Sequence, residues 1–363
     1  MTCYKPLLRV EYPRCPDGKT KDGRRKNKFE IYKLDNLEKN QLEREYLNNK
    51  IYFNREKYGL KPIVQIIPCG KCVGCRLEYS KDWATRCVCE AKEWKENWFI
   101  TLTYNDENIP YKDKFIYTNE NNEKITFTDD GTWNGYLKPE DLTNFLKRLR
   151  EKEARIKNHE NIRYFSCGEY GDNTQRPHYH AIMFNLNIED IELLKYDENG
   201  NPLYKSKYLD EIWGKGHVFI AEVNWSTCAY VARYIMKKIK GKESIIDYYA
   251  KGQTPEFTRM SRMPGIGKTY IEKNWKKVYK HGYILAMKYD KTLTKCRPPK
   301  YFNDWLKENH PEEYKKYKHN NIQKQLATER AKALLTDNDM LDMLNIDATI
   351  KNTQVSKLIR TLE

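Results

Sequence analysis

The alternation of apolar and polar positions is clearest between about residues 98 and 240. Trp98–Tyr104, reading WFITLTY, is rich in aromatic and β-branched residues and predicts a strand. A polar hairpin is expected at about 113–128. Leu137-Lys138-Pro139-Glu140-Asp141 then opens a helix, with proline near its first turn and two acids at its positive end. Leu142, Phe145, Leu146 and Leu149 form the apolar stripe of that helix, while Lys147, Arg148 and Arg150 fall on its other faces. Ile162–Tyr170 and His178–Leu186 predict two strands joined by a loop of Gly, Asp, Asn and Pro. A helix near Lys205–Trp213, a strand at Gly216–Val223 and a helix from about Thr227 to Lys240, capped by Ser226, complete the series.

The order strand, helix, strand, strand, helix, strand, helix is the split β-α-β-β-α-β unit with one added helix. It predicts an α+β fold: an antiparallel sheet with flanking helices packed mainly on one face, in a ferredoxin-like arrangement. Four regions are expected. Residues 1–60 read as a charged, irregular extension with one helix near Asn36–Asn48. Residues 61–98 hold a Cys-rich knuckle and then a helix, in which Leu77, Ala84, Val88 and Ala91 recur at helical spacing. Residues 99–296 form the α+β domain. Residues 297–363 read as a charged helical tail, with scattered apolar positions at Trp305, Leu306, Leu326, Leu334, Leu335, Met340 and Leu341.

Composition narrows the function classes. The 363 residues carry 66 Lys and Arg against 51 Asp and Glu, a net charge of +15, and the 28 Tyr argue for a folded core rather than a disordered chain. Mean hydropathy is −0.92. No run approaches the ~18 apolar residues of a spanning helix, and Met1–Pro6 lacks a signal-peptide core. A cytoplasmic protein with no membrane partner is expected. The positive charge attracts polyanions. Lys19, Lys21, Arg24, Arg25, Lys26 and Lys28 place six cations within ten residues, either a solvated arm or a phosphate-binding one.

Three constellations carry chemistry. Of the ten cysteines, Cys69, Cys72 and Cys75 are spaced C-x2-C-x2-C around two glycines. In a cytoplasm such clusters point to metal more than to disulfides. A structural zinc takes four ligands, so the fourth would be Cys3, Cys87 or Cys89. An iron–sulfur cluster uses similar runs, although nothing else suggests electron transfer. Free thiols in a tight loop are the plain alternative.

The second constellation is Pro177-His178-Tyr179-His180-Ala181. In a strand, residues i and i+2 share a face, so His178 and His180 project together. If the preceding loop closes symmetrically, Glu169 lies opposite His178 and shares that face. Two imidazoles and a carboxylate leave positions open for water and a phosphate oxygen, which favours Mg²⁺ or Mn²⁺ over a closed zinc site. The third is Tyr230-Val231-Ala232-Arg233-Tyr234-Ile235-Met236-Lys237-Lys238. At 100° per residue, Tyr230, Tyr234, Lys237 and Lys238 fall on one helix face. A phenol, with a pKa near 10, becomes a nucleophile once a cation stabilises its phenolate. Attack on DNA phosphorus would leave a 5′-phosphotyrosine and a free 3′-hydroxyl. Taken singly, the His pair reads as two half-exposed histidines and the Tyr pair as core packing; their joint occurrence changes the balance.

These residues bring out a resemblance. The chain resembles the HUH-type rolling-circle replication initiators, specifically those of small single-stranded DNA phages of the gokushovirus group (Microviridae). The matching segments are PCGKCVGCR at 68–76, FITLTYND at 99–106, CGEYG at 167–171, RPHYHAIMF at 176–184 and YVARYIMKK at 230–238. The resemblance implies a five-stranded antiparallel sheet with flanking helices and a metal-dependent, site-specific DNA endonuclease and strand transferase. It implies that His178 and His180 bind the metal, with Glu169 as third ligand. It implies that Tyr230 and Tyr234 are nucleophiles assisted by Lys237 or Lys238. Thr101–Tyr104 would match the first family motif, structural or DNA-binding in role. Implied partners are single-stranded and origin duplex DNA and the host helicase and polymerase, in the cytoplasm of a bacterial host. Tyr104 or Tyr179 would be available to stack on bases, and binding would weaken with salt. The competing readings are a paired-tyrosine HUH transposase and a non-catalytic, zinc-stabilised nucleic-acid-binding protein.

Overall fold

The computed structural model describes residues 3–12, 28–34, 63–157, 161–171, 173–197, 200–237, 243–338 and 340–356. The chain divides into two compact units, one of residues 1–78 and 324–359 and one of residues 79–323 and 360–363.

In the first unit, β1 (Leu7–Tyr12), β2 (Lys28–Lys33) and β3 (Ile63–Ile67) form an antiparallel sheet in the order β2-β1-β3. The segment 1–60 therefore contains two regular strands where the sequence reads as irregular. Their signal is short alternation: Leu8 and Val10 between Arg9 and Glu11, then Phe29 and Ile31 around Glu30. Val10 is fully buried. The helix expected near Asn36–Asn48, and all of the basic cluster except Lys28, lie outside the described residues.

The second unit contains β4 (Asn97–Tyr104), β5 (Lys114–Thr118), β6 (Lys124–Thr128), β7 (Arg163–Tyr170), β8 (Pro177–Phe184), β9 (Glu192–Tyr196) and β10 (Pro202–Lys205), followed by β11 (Gly216–Glu222), β12 (Phe257–Met260), β13 (Ile284–Met287) and β14 (Leu293–Cys296). Seven of them make one sheet in the order β12-β7-β8-β4-β11-β10-β9. Every pair in it is antiparallel. Its centre, β7-β8-β4-β11, has the order that interleaves two β-α-β units.

Helices cover both faces of this sheet, not mainly one. Beneath it, the helix Pro139–Lys157 buries Leu142, Phe145, Leu146 and Leu149 against Ile100, Leu102, Tyr179, Ala181 and Met183. Each such side chain contributes about 1.5–3 kcal/mol when fully buried. The short helix Lys207–Trp213, capped by Ser206, adds Leu209, Ile212 and Trp213. On the other face, Ala84, Cys87, Val88 and Cys89 of the helix Val73–Ala91 pack with Phe99, Phe165, Ile182 and Phe184. So do Val231 and Ala232 of the helix Trp225–Lys237, and Ile271 and Val278 of the helix Lys268–His281. With both faces covered, all eight residues of β8 are buried, and the strand is apolar except at its two histidines.

Two local devices fix the sheet around β7. Gly168 faces Phe257 across the β7–β12 pair, and a Cβ there would come within 2.7 Å of the Phe257 ring. Arg163, at the start of β7, forms a buried ion pair with Glu90 at 2.5 Å, and Glu90 also accepts the Gly267 N–H at 2.6 Å. The helix Trp225–Lys237 is capped by Asn224 rather than Ser226. The Asn224 side chain accepts the Ser226 and Thr227 N–H groups at 2.8 and 3.1 Å. Beyond residue 297 the chain is helical over Lys300–Asn309, Pro311–Ala333 and Met340–Ser356, with Phe302 and Leu306 buried and Leu334 and Leu335 exposed. Among the described residues no helix is long and apolar enough to cross a membrane.

Candidate active site

The β7–β8 hairpin pairs Glu169 with His178 and Cys167 with His180. This is the register that symmetric closure of the loop gives. Glu169, His178 and His180 then converge on the upper face of the sheet, and all three are buried. One carboxylate oxygen, Glu169 Oε1, lies 3.0 Å from His178 Nε2 and 2.6 Å from His180 Nε2. Each ring turns its Nε2 inward and engages its Nδ1 elsewhere. His178 Nδ1 is 3.2 Å from the Arg176 carbonyl oxygen, and His180 Nδ1 is 2.9 Å from Thr101 Oγ1. A backbone carbonyl can only accept, so His178 Nδ1 carries the proton and its Nε2 presents a lone pair inward. Burial pushes the Glu169 carboxyl up, but the facing His180 and His178 imidazoles outweigh it and hold the group below its usual range.

Neighbouring rings hold His180 in place. Phe99 stacks on it with centroids 5.4 Å apart, and Tyr230 meets it edge-on at 5.1 Å. Tyr230 is 3% exposed, and the Arg233 guanidinium carbon lies 5.7 Å from its ring centre. The helix that carries the tyrosines therefore lies against the His pair. Tyr234 and Lys237 sit in the last turns of that helix, with side chains outside the described residues, as is all of Lys238.

Thr101 is the site residue that sequence reasoning does not single out by role. It is paired with His180 across the β4–β8 ladder. The two positions are 79 residues apart, so only the sheet register reveals the contact. Tyr104 and Tyr179, expected to offer surfaces for base stacking, do not. Both project to the lower face and are buried. Tyr104 donates to Asp141 at 2.8 Å and lies 2.8 Å from the Tyr179 hydroxyl. Burial pushes both phenols well above their ordinary range.

The cysteines of the knuckle meet in the first unit. Cys3, Cys69, Cys72 and Cys75 bring their sulfurs within 4.8 Å of one another. Cys87 and Cys89, the alternative fourth ligands, are instead fully buried in the apolar core of the second unit.

Residues 97–239 match the family of the Replication-associated protein ORF2. The chain is 33% identical over 302 residues to the Replication-associated protein ORF2 of Spiroplasma virus 4, covering 82% of this chain and 86% of that protein. It is 31% identical over 271 residues to the Replication-associated protein VP4 of Bdellovibrio phage phiMH2K, covering 74% and 76%. A shorter similarity, 29% over 176 residues, links it to the Replication-associated protein ORF4 of Chlamydia phage 1, covering 47% and 38%. No solved structure matches. The matched span runs from the start of β4 to the end of the tyrosine helix and so encloses the whole Glu169–His178–His180 cluster, and on these similarities the chain belongs to the family of phage replication-associated proteins.

Proposed function

We propose that the protein is a rolling-circle replication initiator of the HUH endonuclease type, which nicks origin DNA through a tyrosine and later rejoins the strand. The observation that carries this reading is the convergence of two inward-facing imidazoles and a carboxylate beside Tyr230. Membership of a replication-associated family supports an initiator rather than a transposase.

The donor set fits a divalent cation: two Nε2 atoms and a carboxylate oxygen converge, while the outer nitrogens are engaged by Arg176 and Thr101. When bound, Mg²⁺ or Mn²⁺ supplies Lewis-acid polarisation of the scissile phosphodiester. His178, His180 and Glu169 hold it. A hydroxyl oxygen of Tyr230 or Tyr234 forms the new bond to phosphorus, and the bond from phosphorus to O3′ breaks. The products are a 5′-phosphotyrosine and a free 3′-hydroxyl. Lys237 or Lys238 stabilises the phenolate. The link conserves the phosphodiester energy, so rejoining requires no ATP, and the second tyrosine allows another cut while the first holds a DNA end. The substrates are single-stranded and origin duplex DNA in a bacterial cytoplasm, with the host helicase and polymerase extending the 3′ end.

The test is a covalent-adduct assay. The protein is mixed with single-stranded DNA of its own genome and Mn²⁺ and run on a denaturing gel. A DNA-linked band is expected with the native protein and none with Tyr230→Phe/Tyr234→Phe. Binding without any adduct would favour the non-catalytic reading.

Thr101 gives a second prediction. Thr101→Val keeps the shape of the side chain and removes the hydroxyl beside His180 Nδ1. Mn²⁺ affinity is expected to fall about 10–100-fold, with little change in the unfolding midpoint. Titration calorimetry beside a denaturant curve measures both, and unchanged Mn²⁺ affinity would take Thr101 out of the positioning role.

A further inference from the structure

We propose that Cys3, Cys69, Cys72 and Cys75 bind one structural zinc ion that fastens the N-terminus to the knuckle and closes the sheet β2-β1-β3. The site is separate from the cleavage chemistry and draws on different residues.

Geometry is the first argument. Zinc–thiolate bonds of about 2.3 Å in a tetrahedron place neighbouring sulfurs about 3.8 Å apart. Cys3 Sγ and Cys72 Sγ are 3.8 Å apart, and Cys69 Sγ and Cys75 Sγ are 4.0 Å apart. A disulfide would need about 2.05 Å, and all four are free thiols. The second argument is the backbone around the sulfurs. The Cys69 N–H points at Cys3 Sγ (3.2 Å), and the Tyr4 N–H at Cys72 Sγ (3.4 Å). The Lys71 and Cys72 N–H groups both point at Cys69 Sγ (3.4 and 3.3 Å). Four backbone donors aimed at three sulfurs favour thiolates over thiols, as metal binding requires. Gly70 takes φ +72°, the left-handed conformation that lets the knuckle turn back on itself.

The sheet register explains why the distant Cys3 completes the set. In the antiparallel β1–β3 pair, Leu7 lies opposite Ile67. The chain just before β1 and the chain just after β3 therefore leave the same end of the sheet. That brings Cys3 to Cys69 across 66 residues of sequence. Four soft sulfur donors with no carboxylate or imidazole select zinc over Mg²⁺ or Mn²⁺, and a filled tetrahedron leaves no open position for a substrate. Lys5, Lys71 and Arg76, adjacent in sequence to the ligands or nearly so, offset the negative charge of a tetrathiolate centre.

Elemental analysis of the purified full-length protein tests this. One zinc per chain is expected, retained in Cys87→Ala and in His180→Ala and lost in Cys3→Ser and Cys72→Ser. Because the serine variants can fail to fold, Co²⁺ is also exchanged into the native protein, where intense visible bands of tetrahedral thiolate coordination are expected. Absence of zinc together with absence of those bands would overturn the site, as would full zinc content in Cys72→Ser. Iron in place of zinc would overturn the assignment of the metal.

Discussion

His180→Ala is expected to lower Mn²⁺-dependent DNA cleavage by about 10³-fold or more while the protein stays folded. Lewis-acid stabilisation at such a centre is worth several kcal/mol, and about 4 kcal/mol corresponds to three powers of ten in rate. His180 is the stronger choice of the pair because it is fully buried and its Nε2 makes the 2.6 Å contact to Glu169. Its removal takes away one donor and leaves the other two without their common geometry. His178→Ala acts in the same direction. Single-turnover cleavage and Mn²⁺ titration calorimetry, run on the same preparation, read the effect. Cleavage at the native rate by a variant that no longer binds Mn²⁺ would remove the metal from the chemistry.

Tyr230→Phe is expected to leave a protein that can still nick but cannot finish. The ring stays, so its edge-on packing against Phe99 and His180 is kept and only the hydroxyl is lost. With Tyr234 as the remaining nucleophile, the first strand can be cut, but the second transfer that releases a closed circle has no acceptor. Terminal joining should drop by about 10³-fold or more, since nucleophile removal is among the largest single effects in catalysis. Tyr234→Phe should give the same outcome from the other side. Counting nicked and closed products from a two-origin template separates the steps. Normal circle release by both single variants would sink the two-nucleophile scheme.

The middle of the fold is legible in the sequence because its strands are half or fully buried there. WFITLTY, the hairpin strands around CGEYG and PHYHAIMF, and GHVFIAE all emerge within a few residues of their expected limits. The strand β9 is not legible because each of its five residues is exposed, so burial leaves no alternation to read. β12 has four residues, all half-buried. Helical covering of the upper face also escapes the sequence reading, although Ile271, Trp275 and Val278 carry a helical spacing. In the site, the i, i+2 histidines and the hairpin partner Glu169 follow from local geometry. The Thr101–His180 contact does not, because it depends on which strands become neighbours. The burial of Tyr104 and Tyr179 follows from the same alternation that turns the histidines toward the site: odd and even positions of β8 serve opposite faces.

The position of β8 has a consequence for hydrogen exchange. This strand is bonded on one side to β7 and on the other to β4, and none of its residues is solvent-exposed. Its amide protons can exchange only when the sheet opens as a whole, so their protection measures the global stability of the unit. The histidines are thus carried on the segment least able to fluctuate, and their spacing is set before any DNA arrives. Whatever motion strand passage demands must come from elements outside the central ladder.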